Sequence, residues 1–349
     1  MRIPSNKLAC QALFLHAADE GRGEALFGEN WRKTLDRVLP FVEGVRFPAL
    51  YLEFPLAGEP FLDVTALYEE IEPGTRFSSE AAAGTERMTD WFAQVSGRYG
   101  GLCFGFELDA GSSDSAPAAV HFQHRSHIQL AESFCNELGE PDTGRRYMDQ
   151  AARMPEGWAP AFFGMFRGRT ASPLRVCGYL TRQEQRHCTE NPLHLSEVFR
   201  QAGFRAYDDG MIRQAAAFLA AASEGADYQF DVYPDGRLGD TFAIDVCLGT
   251  KQSGQQKASF ADGNCAEIMK LLESWGAADD RWHLAAGACL SRALPVEDEN
   301  GQEKLYALTI CPKWVKARWR GGILQNAKLY CEGNAGVIRG GEGEKQNGS

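Results

Sequence analysis

Several things are missing from this sequence, and each absence closes off a class of function. Ten cysteines are scattered between Cys10 and Cys331, but no two form a CxxC pair and no compact set of Cys and His has zinc spacing. That excludes zinc ribbons, zinc fingers and thioredoxin-like redox motifs. The thiols therefore read as reduced, half-buried small hydrophobes. His187 and Cys188 are neighbours in the chain, where adjacent side chains diverge and cannot act as a Cys/His pair. No stretch reaches the roughly 18 uninterrupted apolar residues of a membrane span. The opening MRIPSNKLACQALFLHAADEGRGE has no basic start followed by an apolar run. The expectation is a cytoplasmic protein with no membrane partner. A basic surplus is missing too: 36 Lys and Arg face 47 Asp and Glu, a net charge of −11. This argues against a nucleic-acid partner, because neutralising phosphates needs a basic surface. Any polyanion site must be local, and it is not a P-loop, since GxxxxGK[ST] is absent.

What the chain has is length and periodicity. With 349 residues, 44% of them hydrophobic, it can bury a sizeable core. Segments of helical spacing alternate with paired segments of strict two-residue alternation, about five times along the chain. A helical stretch at about 7–45, with Trp31, Leu35, Val38, Leu39 and Val42 in phase, precedes a hairpin at about 49–68 that turns at Ala57-Gly58-Glu59-Pro60. A helix at about 79–99 precedes a hairpin at about 101–123 with a long, flexible link. Helices near 127–139 and 143–153 precede strands near 161–169 and 174–180, and helices near 193–203 and 208–223 precede a hairpin at about 227–248. There Pro234-Asp235-Gly236 supplies a fixed φ, a side-chain cap and a positive φ for the reversal. Helices near 262–276 and 279–293 lead to a last pair of strands near 304–312 and 323–331. The polar, glycine-rich end of the chain reads as a disordered tail over 336–349.

Such a series predicts one domain over 1–335: an antiparallel sheet of about ten strands closed into a barrel with helices outside, because closure removes exposed edges. The competing topology is two open α+β sandwiches split near 155–160. One phase of each strand is apolar, as in Leu50/Leu52/Phe54, Phe104/Phe106 and Phe242/Ile244/Val246. The other phase carries Tyr51/Glu53, Arg175/Cys177/Tyr179, Gln229/Asp231/Tyr233, Asp245/Cys247 and Lys328/Tyr330. In an open sheet that second set is an ordinary polar exterior. Its Tyr and Cys content, and the basic residues two positions from a Tyr in Arg175-x-Cys177-x-Tyr179 and Lys328-x-Tyr330, suit a different role. A cation beside a ring holds an anion while ring faces stabilise the carbocation it leaves behind.

The repeat and these residues together resemble the ABBA-fold aromatic prenyltransferases, of the indole and the cyanobactin type. The resemblance covers about residues 45–331 and is architectural. It implies a lumen that holds an allylic diphosphate, dimethylallyl or geranyl, and an aromatic or peptide acceptor such as a Trp indole. By position it implies Glu53 as the catalytic carboxylate that orients the acceptor. It implies Arg175 and Lys328 as diphosphate ligands, and Tyr179, Tyr233 and Tyr330 as the shield of the cation. Arg125 and Lys313 join the diphosphate set because each closes a strand in the inward phase. Arg167, Arg169, Lys316, Arg318 and Arg320 read as rim charges at strand ends. One departure stands out in Gln229-x-Asp231-x-Tyr233, where the indole enzymes show a basic residue. Asp231 and Asp245, on paired strands, are candidates for Mg²⁺ or for structural hydrogen bonding. Two further readings stay open. One is a non-catalytic barrel that binds a peptide or partner protein in a peptide-modification pathway. The other is a metal-dependent hydrolase built on Glu53, Glu107, Asp231, Asp245 and His121.

Overall fold

A computed structural model describes residues 5–337 except 20, 44, 78–83, 111–116, 167–168, 172, 223–224, 250–258, 262 and 298–302. The strands are β1 (Ala49–Pro55), β2 (Asp63–Tyr68), β3 (Cys103–Leu108), β4 (Ala119–Gln123), β5 (Trp158–Phe166) and β6 (Leu174–Leu180). They continue as β7 (Ala226–Val232), β8 (Leu238–Cys247), β9 (Leu290–Glu297), β10 (Glu303–Arg320) and β11 (Ile323–Val337). β1 to β8 pair in chain order, β8 pairs with β10, β10 with β11, and β11 returns to β1, all antiparallel. Ten strands thus close into a barrel. β9 stands outside the ring, bonded to the first half of β10. The two-sandwich topology is excluded, because β4 and β5 pair directly across the supposed split.

The apolar phase faces outward, under the helices. α3 (Trp31–Val42) packs Phe41 on Phe106 with ring centroids 5.1 Å apart. α5 (Leu130–Glu137) stacks Phe134 on Phe122 at 4.3 Å. α8 (Leu193–Ala202) sets Phe199 against Phe242 at 4.8 Å. Leu50, Leu52, Phe54, Phe104, Phe242 and Ile244 are fully buried there, and each such side chain is worth about 1.5–3 kcal/mol of transfer free energy. Among the described residues no helix is long and apolar enough to cross a membrane.

Several elements differ from the sequence expectation, each for a local reason. The first helical stretch is three helices, α1 (Ser5–Ala17), α2 (Arg22–Phe27) and α3, broken at Gly21 and Gly28, which hold φ of 79° and 75°. Between β6 and α8 there is a helix not expected, α7 (Arg182–Glu190). Its cue is the Thr181-x-x-Glu184 pattern, and the Thr181 hydroxyl accepts the Glu184 N–H at 3.2 Å. The helix expected at 279–293 is one turn at Trp282–Ala285 and a 3₁₀ turn at Ala286–Ala288, followed by β9, which carries Pro295 where an edge strand tolerates it. The last hairpin is far longer than expected. β10 runs on to Arg320, and the reversal falls at Gly321-Gly322, both at positive φ, 58° and 84°. Of the tail, Gly336 and Val337 still pair with β10; 338–349 and Arg167 lie outside the described residues, as does most of the link between β3 and β4.

Candidate active site

The inward phase of the strands divides the lumen into two chambers. At the end formed by the C-termini of β1, β3, β5, β7 and the start of β11 lies a polar floor. It is lined by five cations, Arg169, Arg175, Lys316, Arg318 and Lys328, and three carboxylates, Glu53, Glu107 and Asp231, an excess of two positive charges. Toward the opposite end the lumen widens into a chamber of about 1010 Å³, solvent at its mouth included, with Tyr51, Leu67, Phe162, Tyr179, Trp314 and Tyr330 on its walls.

Register makes the floor. Arg175 on β6 stands opposite Asp231 on β7, and its Nε donates to Asp231 Oδ1 at 2.7 Å; Arg318 Nη2 reaches the other oxygen at 3.4 Å. Burial would pull the Arg175 guanidinium down, but Asp231 holds it well above its ordinary value, and Asp231 is held below its own by Arg175. Lys328 lies between Glu53 Oε1 at 2.8 Å and Asp63 Oδ2 at 3.0 Å. Against burial, these two carboxylates raise the ammonium, and Lys328 with Lys316 lowers Glu53. Asp63, the more weakly favoured partner, is pushed up to about 6 by burial. His121 Nε2 meets Glu107 Oε2 at 2.7 Å, and the hydrogen bond holds Glu107 well below the carboxylate range despite its burial. The ring has room because Gly164 stands opposite; a Cβ there would come within 2.9 Å of it.

Lys316 and Lys328 face each other directly across β10 and β11, a like-charge pair that carboxylates on both sides must offset. Lys316 Nζ donates to the Tyr330 hydroxyl at 2.5 Å and lies 3.7 Å from Asp245. The ring of Tyr330 is 4.8 Å from the ammonium. Higher in the lumen two acids oppose each other, Asp227 on β7 and Asp245 on β8. Burial and the Asp245 charge push Asp227 well above its ordinary value, and burial pushes Asp245 up to about 6. Asp245 Oδ2 accepts from Gln229, while Oδ1 is buried without a hydrogen-bond partner.

The anticipated residues thus separate. Glu53, Arg175 and Lys328 meet at the floor, and Tyr179 and Tyr330 line the wide chamber. Arg125 and Lys313 stand at the far mouth. Arg125 is exposed, at φ 52° and packed on Gly101, and Lys313 pairs with Glu332. Tyr233 sits just past β7 at the turn, against Gly239, outside both chambers. Asp231 and Asp245 do not face each other: Asp245 is opposite Asp227, and both oxygens of Asp231 are taken by arginines. An Mg²⁺ ion between Asp231 and Asp245 finds no open pair of carboxylates, so these residues do not fit that role. Three cations assigned to the rim, Arg169, Lys316 and Arg318, line the floor. The alternation of Val315, Ala317 and Trp319 with Trp314, Lys316 and Arg318, ended by Gly321-Gly322, is the sequence signal for Lys316 and Arg318. Arg169 lies over Phe166 at 3.7 Å at the floor's edge.

No family model matches this sequence, and no curated protein matches it. Solved structures do. The chain is similar to 5-dimethylallyltryptophan synthase from Streptomyces coelicolor at 13% identity and a TM-score of 0.52, over 95% of this chain and 97% of that one. It is similar to a 6-dimethylallyl tryptophan synthase at 14% identity and a TM-score of 0.51, over 95% and 96%. The fold is therefore that of the ABBA-type prenyltransferase barrel, with its ten-stranded closure and outer helices.

Proposed function

We propose that this protein transfers an allylic group, dimethylallyl or geranyl, from its diphosphate to an aromatic carbon or nitrogen, with a Trp indole as the acceptor of first choice. The observation that carries the reading is the cationic floor beneath an aromatic chamber in one lumen. The two structural neighbours named above, both dimethylallyltryptophan synthases, supply the acceptor class.

The diphosphate sits on Arg175, Lys316, Arg318 and Lys328, which stabilise the leaving group as the C–O bond breaks. Its prenyl chain points into the wide chamber, where Tyr179 and Tyr330 present ring faces to the allylic cation and keep water away. Glu53, shared by both chambers, accepts a hydrogen bond from the acceptor N–H and orients the attacking atom. After the new bond forms, the acceptor gives up a proton to restore its aromaticity. Asp245, whose Oδ1 accepts no hydrogen bond and lies 3.7 Å from the Lys316 ammonium, and whose carboxyl is pushed up to about 6 by burial, takes that proton. No step calls on Asp231 and Asp245 to hold a metal ion.

The test is calorimetric titration with the thiolo analogue of dimethylallyl diphosphate, beside inorganic diphosphate, with and without Mg²⁺, followed by mass spectrometry of incubations with the true diphosphate and L-tryptophan. The reading expects analogue binding tighter than that of inorganic diphosphate, and an acceptor product heavier by one prenyl group. Absence of binding under every condition overturns it in favour of a non-catalytic barrel.

A further inference from the structure

Outside the lumen, where the start of β5 meets α7 and α8, a second cluster of ligating side chains plays no part in the proposed reaction. Glu184 and His187 are three residues apart on α7 and share a face; His194 enters from the first turn of α8, after the Asn191-Pro192 bend. One ligand atom of each lies within 4.8 Å of the other two. The imidazole rings of His187 and His194 stack with centroids 3.8 Å apart and an angle of 18° between planes. His194 Nε2 meets Glu184 Oε1 at 2.5 Å, and its Nδ1 faces the Glu197 carboxylate at 3.5 Å. The indole N–H of Trp158 donates to the same Glu184 oxygen at 2.8 Å.

We propose that Glu184, His187 and His194 bind a zinc ion, with water in the fourth position. Two imidazoles and a carboxylate are a zinc donor set. The surroundings are those a zinc ligand needs: the far nitrogen of the ligating histidine faces a carboxylate, here Glu197, and the ligating carboxylate is fixed by its own donor, here Trp158. At metal–ligand distances of about 2.0–2.2 Å the donor atoms of a tetrahedral ion stand about 3.3–3.6 Å apart, so the ion enters by opening the Glu184–His194 contact by about 1 Å while the wider separations of the triad close by a similar amount. His187 is exposed, which gives the ion a path from solvent. The absence of CxxC-type zinc spacing is no obstacle, because the ligands come from two helices joined by a bend.

The experiment titrates the chelator-stripped full chain with zinc chloride by calorimetry, beside His187→Ala and His194→Ala, and records the thermal midpoint of each with and without zinc. The proposal expects one equivalent bound at micromolar affinity or tighter and a raised midpoint in the wild type. It expects affinity weakened at least tenfold, with no rise, in both variants. The exposed His187 leaves the fold intact when removed, so its variant reads the site alone. No stoichiometric binding by the wild type, or one equivalent held unchanged by both variants, overturns it and leaves Glu184–His194 as a hydrogen bond only. Prenyl transfer is not read in this test, so its outcome is separate from the function proposed above.

Discussion

The two chambers of the lumen are built from the same strands in the same phase, yet they treat charge in opposite ways. At the floor each buried charge meets an opposite one across or beside the strand, as Arg175 meets Asp231 and Lys328 meets Glu53. In the wide chamber two acids, Asp227 and Asp245, oppose each other under burial, and the Lys316 and Arg175 charges offset that burial only in part. The lesson is that phase decides which residues enter the lumen, while register decides their protonation. Paired charges stay ionised and can grip an anion; opposed acids are pushed toward the neutral form and can exchange a proton.

Arg175→Ala should produce the largest change, about 10²–10³-fold weaker analogue binding measured by calorimetry. It also strips Asp231 of its nearer partner, which costs about 3–5 kcal/mol of stability. The double replacement Arg175→Met with Asp231→Leu separates the two effects: denaturant unfolding should recover while analogue binding stays lost. Recovery of binding in the double variant would remove Arg175 from the anion site.

Asp245→Asn tests the wide chamber. Transfer kinetics should show kcat down by about 10²-fold or more with little change in KM. Its pH signature has a definite sign. Folded Asp245 keeps its proton up to about 6, whereas the unfolded chain releases it near 3.8. The folded state therefore binds more protons in that window, and stability falls as pH rises through it. The groups facing Asp245 are Asp227, Gln229, Lys316, Glu53 and Arg175. Urea midpoints of Asp245→Asn should lose this part of the slope and gain at most about 2–3 kcal/mol at pH 7.

Tyr179→Ala should lower transfer about tenfold and raise the share of allylic diphosphate lost to hydrolysis, as quantified by chromatography. A wild-type product ratio would take Tyr179 out of the shield. The smallest effects belong at the mouth. Arg125→Ala and Lys313→Ala should each change analogue affinity less than about threefold, since Arg125 is an exposed charge, worth under about 1 kcal/mol, and Lys313 is already neutralised by Glu332. A large loss there would move the anion site to the opposite end of the barrel and invert the comparison.

Most of the inward phase was legible in the chain, because a period of two survives any error in strand ends. That ground puts Glu53, Arg175, Tyr179, Lys328 and Tyr330 in one phase; the pairing of β11 with β1, which closes the sheet, makes that phase the inside. What could not be read was depth and partner. Arg125 and Lys313 share the inward phase but lie at the mouth, and Asp245 faces Asp227 rather than Asp231 because register is set by turns and bulges distant from both. β10 extends past the strand expected near 304–312, through Pro312 and the basic stretch from Lys313 to Arg320. In the barrel their alternate residues Val315, Ala317 and Trp319 are fully buried on the outer face, which pulls Lys316 and Arg318 inward.

The ring closes through β11 on β1, where Leu50 pairs with Gly333. These partners are about 280 residues apart, and bringing such ends together costs on the order of 5 kcal/mol of chain entropy. During synthesis β1 is made early and waits for almost the whole chain with one edge unpaired, a template for any stray strand. The last hairpin is thus also the clasp of the folding reaction. The steep local turn at Gly321-Gly322 lets β10 and β11 arrive as a finished pair, so that a single docking event seals both remaining edges.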